Sequence, residues 1–144
     1  MNPELTLKSY VVFMRATQSV QEIIKQDIAS YGLNPSEFGA LEVLYHKGRQ
    51  TIQQIGEKVL LASGSMTYLI DKLEKKGLVK RAHCPEDRRV TYIEITDKGK
   101  TLMGEKFPNH QKVIEQMFDV LDEQEKEQLI LLLKKIGYQA SNQG

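Results

Sequence analysis

The 144-residue sequence contains one cysteine, no tryptophan and only three histidines, which are scattered along the chain. A single cysteine, Cys84, excludes an intramolecular disulfide framework. Without any CxxC or HxxxH pairing, we predict no metal site and no cofactor. His83 and Cys84 are neighbours in a β-prone run, where adjacent side chains point to opposite faces, so they are a poor chelating pair.

Long apolar runs are also missing. No segment is long and apolar enough to span a bilayer, and the first ten residues lack the pattern of a secretory signal. We therefore predict a cytoplasmic protein without a membrane partner. No Ser/His/Asp grouping, glycine-rich phosphate loop or acid pair in a suitable context is present, so we predict that the chain is not an enzyme.

Charge is distributed unevenly. The net charge is only +1, but residues 49–100 hold 11 Lys/Arg against 7 Asp/Glu, a balance of +4, while the remainder holds 9 against 12, a balance of −3. A basic centre between acidic ends is expected if only the centre meets phosphates.

Apolar spacing and capping signals predict four helices in the first half of the chain. The first covers about 5–31 and the second about 35–47, with Asn34 as its cap. A third starts at the capping box Thr51–Gln54, and a fourth is capped by Ser63. The second helix should bury Phe38, Leu41, Leu44 and Tyr45. The fourth should bury Met66, Leu69, Ile70 and Leu73.

After the fourth helix, the spacing of apolar residues changes from that of helices to that of strands. LVKRAHC and VTYIEI are β-prone runs separated by PEDRR, which predicts a hairpin with a projecting tip. A helical region over about 97–138 follows, kinked or broken at Pro108 and restarted at Asp122. The predicted fold is mainly α with a small β-wing, in the order α-α-α-α-β-β-α-α.

The centre of this pattern is typical of a reader of duplex DNA. Two helices joined by a short turn, the second with small polar and basic side chains, fit the major groove. An arginine on a projecting loop can enter a minor groove. The candidate DNA-binding residues are Thr51, Gln54, Ser63, Ser65, Thr67, Tyr68, Lys72, Lys75, Arg88 and Arg89. Asp87 is expected to brace the wing by pairing with a nearby arginine.

Two other interpretations remain open at this point. A polar helix face beside a basic hairpin is often only solvated surface, although here the helix pair, hairpin, arginine tip and local charge coincide. A winged-helix module for protein–protein or RNA contact is the other, but it needs an apolar or aromatic face, whereas this face carries Ser, Thr, Tyr and Lys.

The stretch IQQIGEKVLLASGSMTYLIDKLEKKGLVKRAHCPEDRRVTYIEITDKG resembles the winged helix-turn-helix of the MarR family of bacterial regulators. The segment from Ser63 to Val79 and the D-R-R of residues 87–89 carry most of the resemblance, which is closest to the Bacillus-like branch with quinone- and electrophile-responsive repressors. It implies a homodimer, a pseudo-palindromic operator and repression relieved by a small ligand or oxidant. Tyr68 departs from the pattern, since many relatives have arginine there.

The terminal helices are too apolar for a chain of this size to cover, notably around residues 129–133, which also predicts a homodimer. We therefore expect a helical dimerisation region (1–34 and 101–144) and a DNA-binding region (35–100). The signal is less defined. Cys84 is either a redox switch or a half-buried strand residue. Phe13, Met14, Tyr45 and Phe107 either line a cleft for a small-molecule inducer or are simply core.

Overall fold

A computed structural model of the chain describes residues 1–59 and 65–143. Within them lie six helices and three short strands. The helices are α1 (Pro3–Ala29), α2 (Pro35–Lys47), α3 (Ile52–Lys58), α4 (Met66–Lys75), α5 (Asp97–Phe118) and α6 (Glu123–Gln143). The strands are β1 (Gln50–Thr51), β2 (Val79–His83) and β3 (Thr91–Ile95). The chain forms two compact units, Met1–His110 and Gln111–Gly144.

Side-chain caps fix where the predicted helices start. Asn34 accepts a hydrogen bond from the Glu37 amide at 2.8 Å, and the Glu37 carboxylate accepts one from the Asn34 amide at 3.0 Å. Thr51 and Gln54 form the same reciprocal box at the start of α3. Both boxes satisfy amides that a helix leaves unpaired at its first turn.

The three strands form an antiparallel sheet in the order β1-β3-β2. β2 and β3 pair from Val79 opposite Ile95 to His83 opposite Thr91, as the hairpin prediction required. β1 was not predicted: it has only two residues, too few to produce an alternating pattern, and pairs with Ile93 and Tyr92 of β3.

The hydrophobic core of the first unit lies between α2, α3, α4 and the sheet. Phe38, Leu41 and Leu44 are buried as predicted, but Tyr45 is 38% exposed, so its predicted place in the buried stripe is wrong. Tyr45 follows Leu44 directly and therefore lies about 100° around the helix from it, at the edge of the apolar face. On α4, Leu69, Ile70 and Leu73 are buried and Met66 is partly buried.

Two glycines allow tight connections around α4 and α5. Gly77, just after α4, has a φ of +76°, a backbone conformation that residues with a side chain rarely adopt. Gly99, in the first turn of α5, lies so close to Leu78, the residue before β2, that a Cβ would collide with the Leu78 carbonyl oxygen. These residues let the chain turn from α4 into β2 and from β3 into α5.

Of the two predicted outcomes at Pro108, a kink or a break, the break is wrong, because α5 continues through Pro108 to Phe118. The helix break instead falls after Phe118, and the predicted restart at Asp122 is confirmed. The Asp122 carboxylate accepts from the Glu125 amide at 2.8 Å, and Glu125 accepts from the Asp122 amide at 3.0 Å. This reciprocal box starts α6.

Candidate nucleic-acid interface

Helix α4 presents one apolar and one polar side. It begins at Met66, with Ser65 as its cap: the Ser65 hydroxyl accepts from the Tyr68 amide at 3.3 Å. The prediction of Ser63 as the cap is therefore wrong, and Ser63, as a candidate DNA contact, lies outside the described residues. Ser65 is close enough in sequence and type to satisfy the same capping rule.

The solvent side of α4 carries the candidate residues from its cap to its last turn. Ser65, Thr67, Tyr68 and Lys75 are exposed, and Lys72 is half-buried. The Lys72 ammonium lies 5.7 Å from the centre of the Tyr68 ring, within cation–π distance. The arrangement leaves hydroxyl groups, a phenol and two cations free to meet a ligand.

Arg81 of β2, which sequence reasoning missed, connects the hairpin to α4. Its guanidinium donates to Asp71 at 2.6 Å and to Glu74 at 2.5 Å. The hydrogen bond to Asp71 is the main cause that raises the pKa of Arg81, against an opposing effect of burial. The contacts join two different elements across the turn between α4 and β2, so only the placement of the hairpin against α4 could have suggested them.

A second set of contacts holds the C-terminal end of α4. The Lys76 ammonium contacts the buried Glu37 carboxylate at 2.7 Å and donates to the Gly32 carbonyl at 3.2 Å. Lys98 donates to the Lys76 carbonyl at 2.9 Å, and the Thr96 hydroxyl to the Gly77 carbonyl at 2.6 Å. The helix is thus held both along its inner side and at its end.

Two candidate residues lie at the start of α3. The Gln54 side-chain oxygen accepts from the Thr51 amide at 2.9 Å, while Gln54 itself is exposed and Thr51 half-buried. Nearby, the Arg49 guanidinium lies 4.4 Å from the centre of the Tyr92 ring. This end of α3 therefore presents an amide group and a cation at the surface.

The hairpin tip has an ordered turn built on Asp87. Its carboxylate accepts from the Arg89 amide at 3.0 Å and from the Arg89 guanidinium at 3.1 and 3.3 Å. The guanidinium contact is the largest cause that lowers the pKa of Asp87. The Arg89 side chain is 91% exposed, and Arg88 is exposed as well. Half-buried Cys84 lies just past β2, where its amide donates to the Val90 carbonyl at 3.0 Å.

The candidate inducer residues are only partly brought together. The His46 ring contacts Tyr45 at 5.2 Å and Phe107 at 4.6 Å between ring centres. Phe13 and Met14 are exposed on α1, and within the described residues Phe13 makes no ring contact with that group. His46 was missed, because a lone histidine near a helix end has no sequence signature.

A buried polar group lies behind these aromatics. His110 Nδ1 is 2.9 Å from the Asp27 carboxylate, which also accepts from the Tyr31 hydroxyl at 2.7 Å. Burial, followed by the bond to Asp27, raises the pKa of Tyr31. The described residues contain no group of three or more acidic, histidine or cysteine side chains placed to hold a metal ion, and no helix of membrane-spanning length and hydropathy.

The winged-helix part of the chain is similar to a known family of regulators. The model of the MarR family matches residues 33–91, which include α2 to α4 and the hairpin tip. The chain is 49% identical over 137 residues to the HTH-type transcriptional regulator MhqR of Bacillus subtilis, covering 95% of this chain and 94% of that protein. The chain belongs to the MarR family. The predicted family and its Bacillus-like branch are confirmed.

Solved structures of MarR-family regulators share the fold. AbsC of Streptomyces coelicolor superposes with a TM-score of 0.89 at 19% identity, over 99% of this chain and 98% of that one. Sco3205 of the same organism, solved in complex with DNA, gives 0.84 at 20% identity, over 95% and 88% of the two chains. The mainly α fold with a small β-wing is confirmed. The chain is a transcriptional regulator with a DNA-binding winged helix and is not an enzyme.

Proposed function

We propose that this MarR-family regulator is a homodimeric repressor of the bacterial cytoplasm that binds a pseudo-palindromic operator. Helix α4 enters the major groove, where Ser63, Ser65, Thr67 and Tyr68 meet base edges and Lys72 and Lys75 meet phosphates. Thr51 and Gln54 flank this contact from α3. Arg88 and Arg89 enter the minor groove, and Asp87 braces the wing.

The observation that carries this proposal is the two-sided character of α4. Leu69, Ile70 and Leu73 are buried and its C-terminal end is held by Lys76 and Lys98, while the polar and charged side is left exposed. A helix fixed in this way keeps its orientation when it enters a groove wide enough for one helix. The alternative, a protein–protein module, gains no support from a face that lacks apolar residues other than the Tyr68 ring.

The proposed dimer is supported by the apolar surface at the two ends of the chain. Exposed on α1 are Leu5, Leu7, Tyr10, Val11, Val12, Phe13, Met14 and Ile23, and on α6 Ile130, Leu131, Leu132, Leu133, Ile136 and Tyr138. Exposed apolar surfaces of this size are commonly buried in the interface with a second copy of the chain. In the dimer, residues 1–34 and 101–144 form the interface, and two copies of α4 lie roughly 34 Å apart, one turn of DNA.

Binding to duplex DNA is tested by titrating a random-sequence duplex at two salt concentrations. Affinity should fall steeply as salt rises, because each phosphate neutralised releases a counterion. Affinity that does not depend on salt would overturn duplex binding and favour the protein–protein module. Preference for an RNA of equal length would favour the RNA-binding alternative.

For the signal, we propose a small aromatic ligand, such as a quinone, that releases the repressor from DNA. The rings of Tyr45, His46 and Phe107 offer stacking partners at a partly open surface, and Phe13 and Met14 complete the candidate set. Cys84 is proposed to be structural, since it is half-buried next to the hairpin tip, where its amide donates to the Val90 carbonyl.

Cys84→Ser separates the ligand from a thiol switch. The variant should bind DNA like the wild type and still release it when benzoquinone is added, as measured by fluorescence anisotropy. Loss of the response to benzoquinone in this variant alone would contradict the structural role of Cys84.

A further inference from the structure

Two carboxylates stand on the exposed side of α4. Asp71 lies one helical turn after Thr67 and Tyr68, and Glu74 lies three residues further along the same helix. Both side chains are solvent-exposed. Because DNA is a dense array of negative charge, unpaired carboxylates at these positions would oppose the approach of this helix.

Arg81 offsets that repulsion. Its two terminal nitrogens reach different helix residues, Asp71 at 2.6 Å and Glu74 at 2.5 Å, so that one rigid fork binds both acids. The exposed side of α4 carries Lys72 and Lys75 against Asp71 and Glu74, a formal balance of zero, and Arg81 changes it to +1. The side chain of Arg81 is only 27% exposed, which leaves it less accessible than the acids it binds.

We infer that Arg81 is a positioning residue for DNA binding: it neutralises Asp71 and Glu74 and ties β2 to the side of α4, without itself contacting DNA. The inference rests on the proposed entry of α4 into the major groove. It gives β2 a role separate from that of the arginines at the hairpin tip.

Arg81→Met tests the inference on a labelled duplex selected by the wild-type protein from a random pool. We expect affinity to fall about tenfold, and the added pair Asp71→Asn and Glu74→Gln to restore it to within about threefold. In the wild type, where Arg81 already neutralises both acids, the same pair should change affinity by less than about threefold. Lys80→Met, which removes a cation from the same strand, is the matched control and should respond to the pair as the wild type does.

Two results would overturn the role of Arg81. One is the absence of rescue, which would make Arg81 a direct contact or a purely structural residue. The other is an equal gain in DNA affinity when Asp71→Asn and Glu74→Gln are added to the wild type, to Arg81→Met and to Lys80→Met. Arg81→Lys provides the comparison if the methionine variant does not fold: it keeps one cation near the acids and should retain most of the affinity, and a loss of tenfold or more would contradict the inference. If the wild type selects no duplex, the proposed function fails instead.

Discussion

The winged-helix part of the chain and the terminal helices differ in how they use apolar residues. In α2 to α4 and the sheet, the large aliphatic side chains are buried or half-buried, and several polar ones are linked by caps and ion pairs. In α6, none of the described side chains is buried, although Ile130 to Leu133 form an apolar run. In α1, Ile28 alone is buried.

The two regions should therefore differ in whether their stability depends on protein concentration. The winged helix buries its core within one chain, so its stability should not depend on protein concentration. In the proposed dimer, the apolar surfaces of α1 and α6 contribute to stability only when a partner covers them, so their contribution should depend on protein concentration. A substitution in each region should therefore give a different signature.

The largest effect is expected from a charge on α6. Leu132→Asp should convert the dimer to a monomer and weaken operator binding by at least about 100-fold, because the two half-sites are no longer held together. Sedimentation and anisotropy on the same sample measure both. Ser141→Asp places the same charge on the opposite side of the helix and should remain dimeric; a dimeric Leu132→Asp protein would contradict the proposed interface.

In the core of the winged helix, Leu41→Ala should lower the free energy of unfolding by about 2–5 kcal/mol, since Leu41 is fully buried. Urea denaturation followed by circular dichroism measures the change. Val120→Ala, at the most exposed aliphatic residue between α5 and α6, should stay within about 0.5 kcal/mol. A similar loss for both variants would remove the distinction between the two regions.

A smaller effect is expected at the hairpin tip. Arg89→Ala should weaken operator binding by about 1–3 kcal/mol and leave the dimer intact, because the side chain is exposed at the hairpin tip and can exchange its contact with Asp87 for one with a groove. Lys47→Ala, at an exposed cation of α2 outside the proposed contacts and the proposed interface, serves as the control and should retain wild-type affinity. If Arg89→Ala binds as tightly as the wild type, Arg89 makes no contact with DNA.

The smallest effect concerns the acidity of Asp87, whose pKa is lowered chiefly by the Arg89 guanidinium. Because the pKa of Asp87 is lower in the folded state, its pairing with Arg89 stabilises the wing at pH values above the pKa in the unfolded chain, which is about 4. This stabilisation is lost as the pH falls through the pKa of Asp87 in the folded state. The Arg89 amide resonance should therefore stay constant from neutral pH down to about pH 4. A transition above that pH, or one that persists in Asp87→Asn, would contradict the pairing.

Much of the fold could be predicted from local signals. The box at Asn34 and Glu37 fixes the start of α2, and the change from helical to strand periodicity after Gly77 locates the hairpin. The restart at Asp122 was also predictable from its acids. These features depend on residues close together in sequence.

Other features could not be predicted, because they depend on contacts between different elements or because two residues satisfy the same local rule equally well. Ser63 and Ser65 are both good caps, and sequence alone does not decide between them. Pro108 lies in a helix that continues through it, so the tertiary context outweighs the local rule. The contacts of Arg81 with Asp71 and Glu74 require the register of the hairpin against α4.

The anchoring of α4 has an evolutionary consequence. Its inner side and its C-terminal end fix its position, while Thr67 and Tyr68 project into solvent and are not part of the core. Substitutions at these two positions can accumulate with little penalty to folding. In the proposed complex these two positions meet base edges, so copies of such a regulator that arise by gene duplication can acquire different operators with little cost to folding.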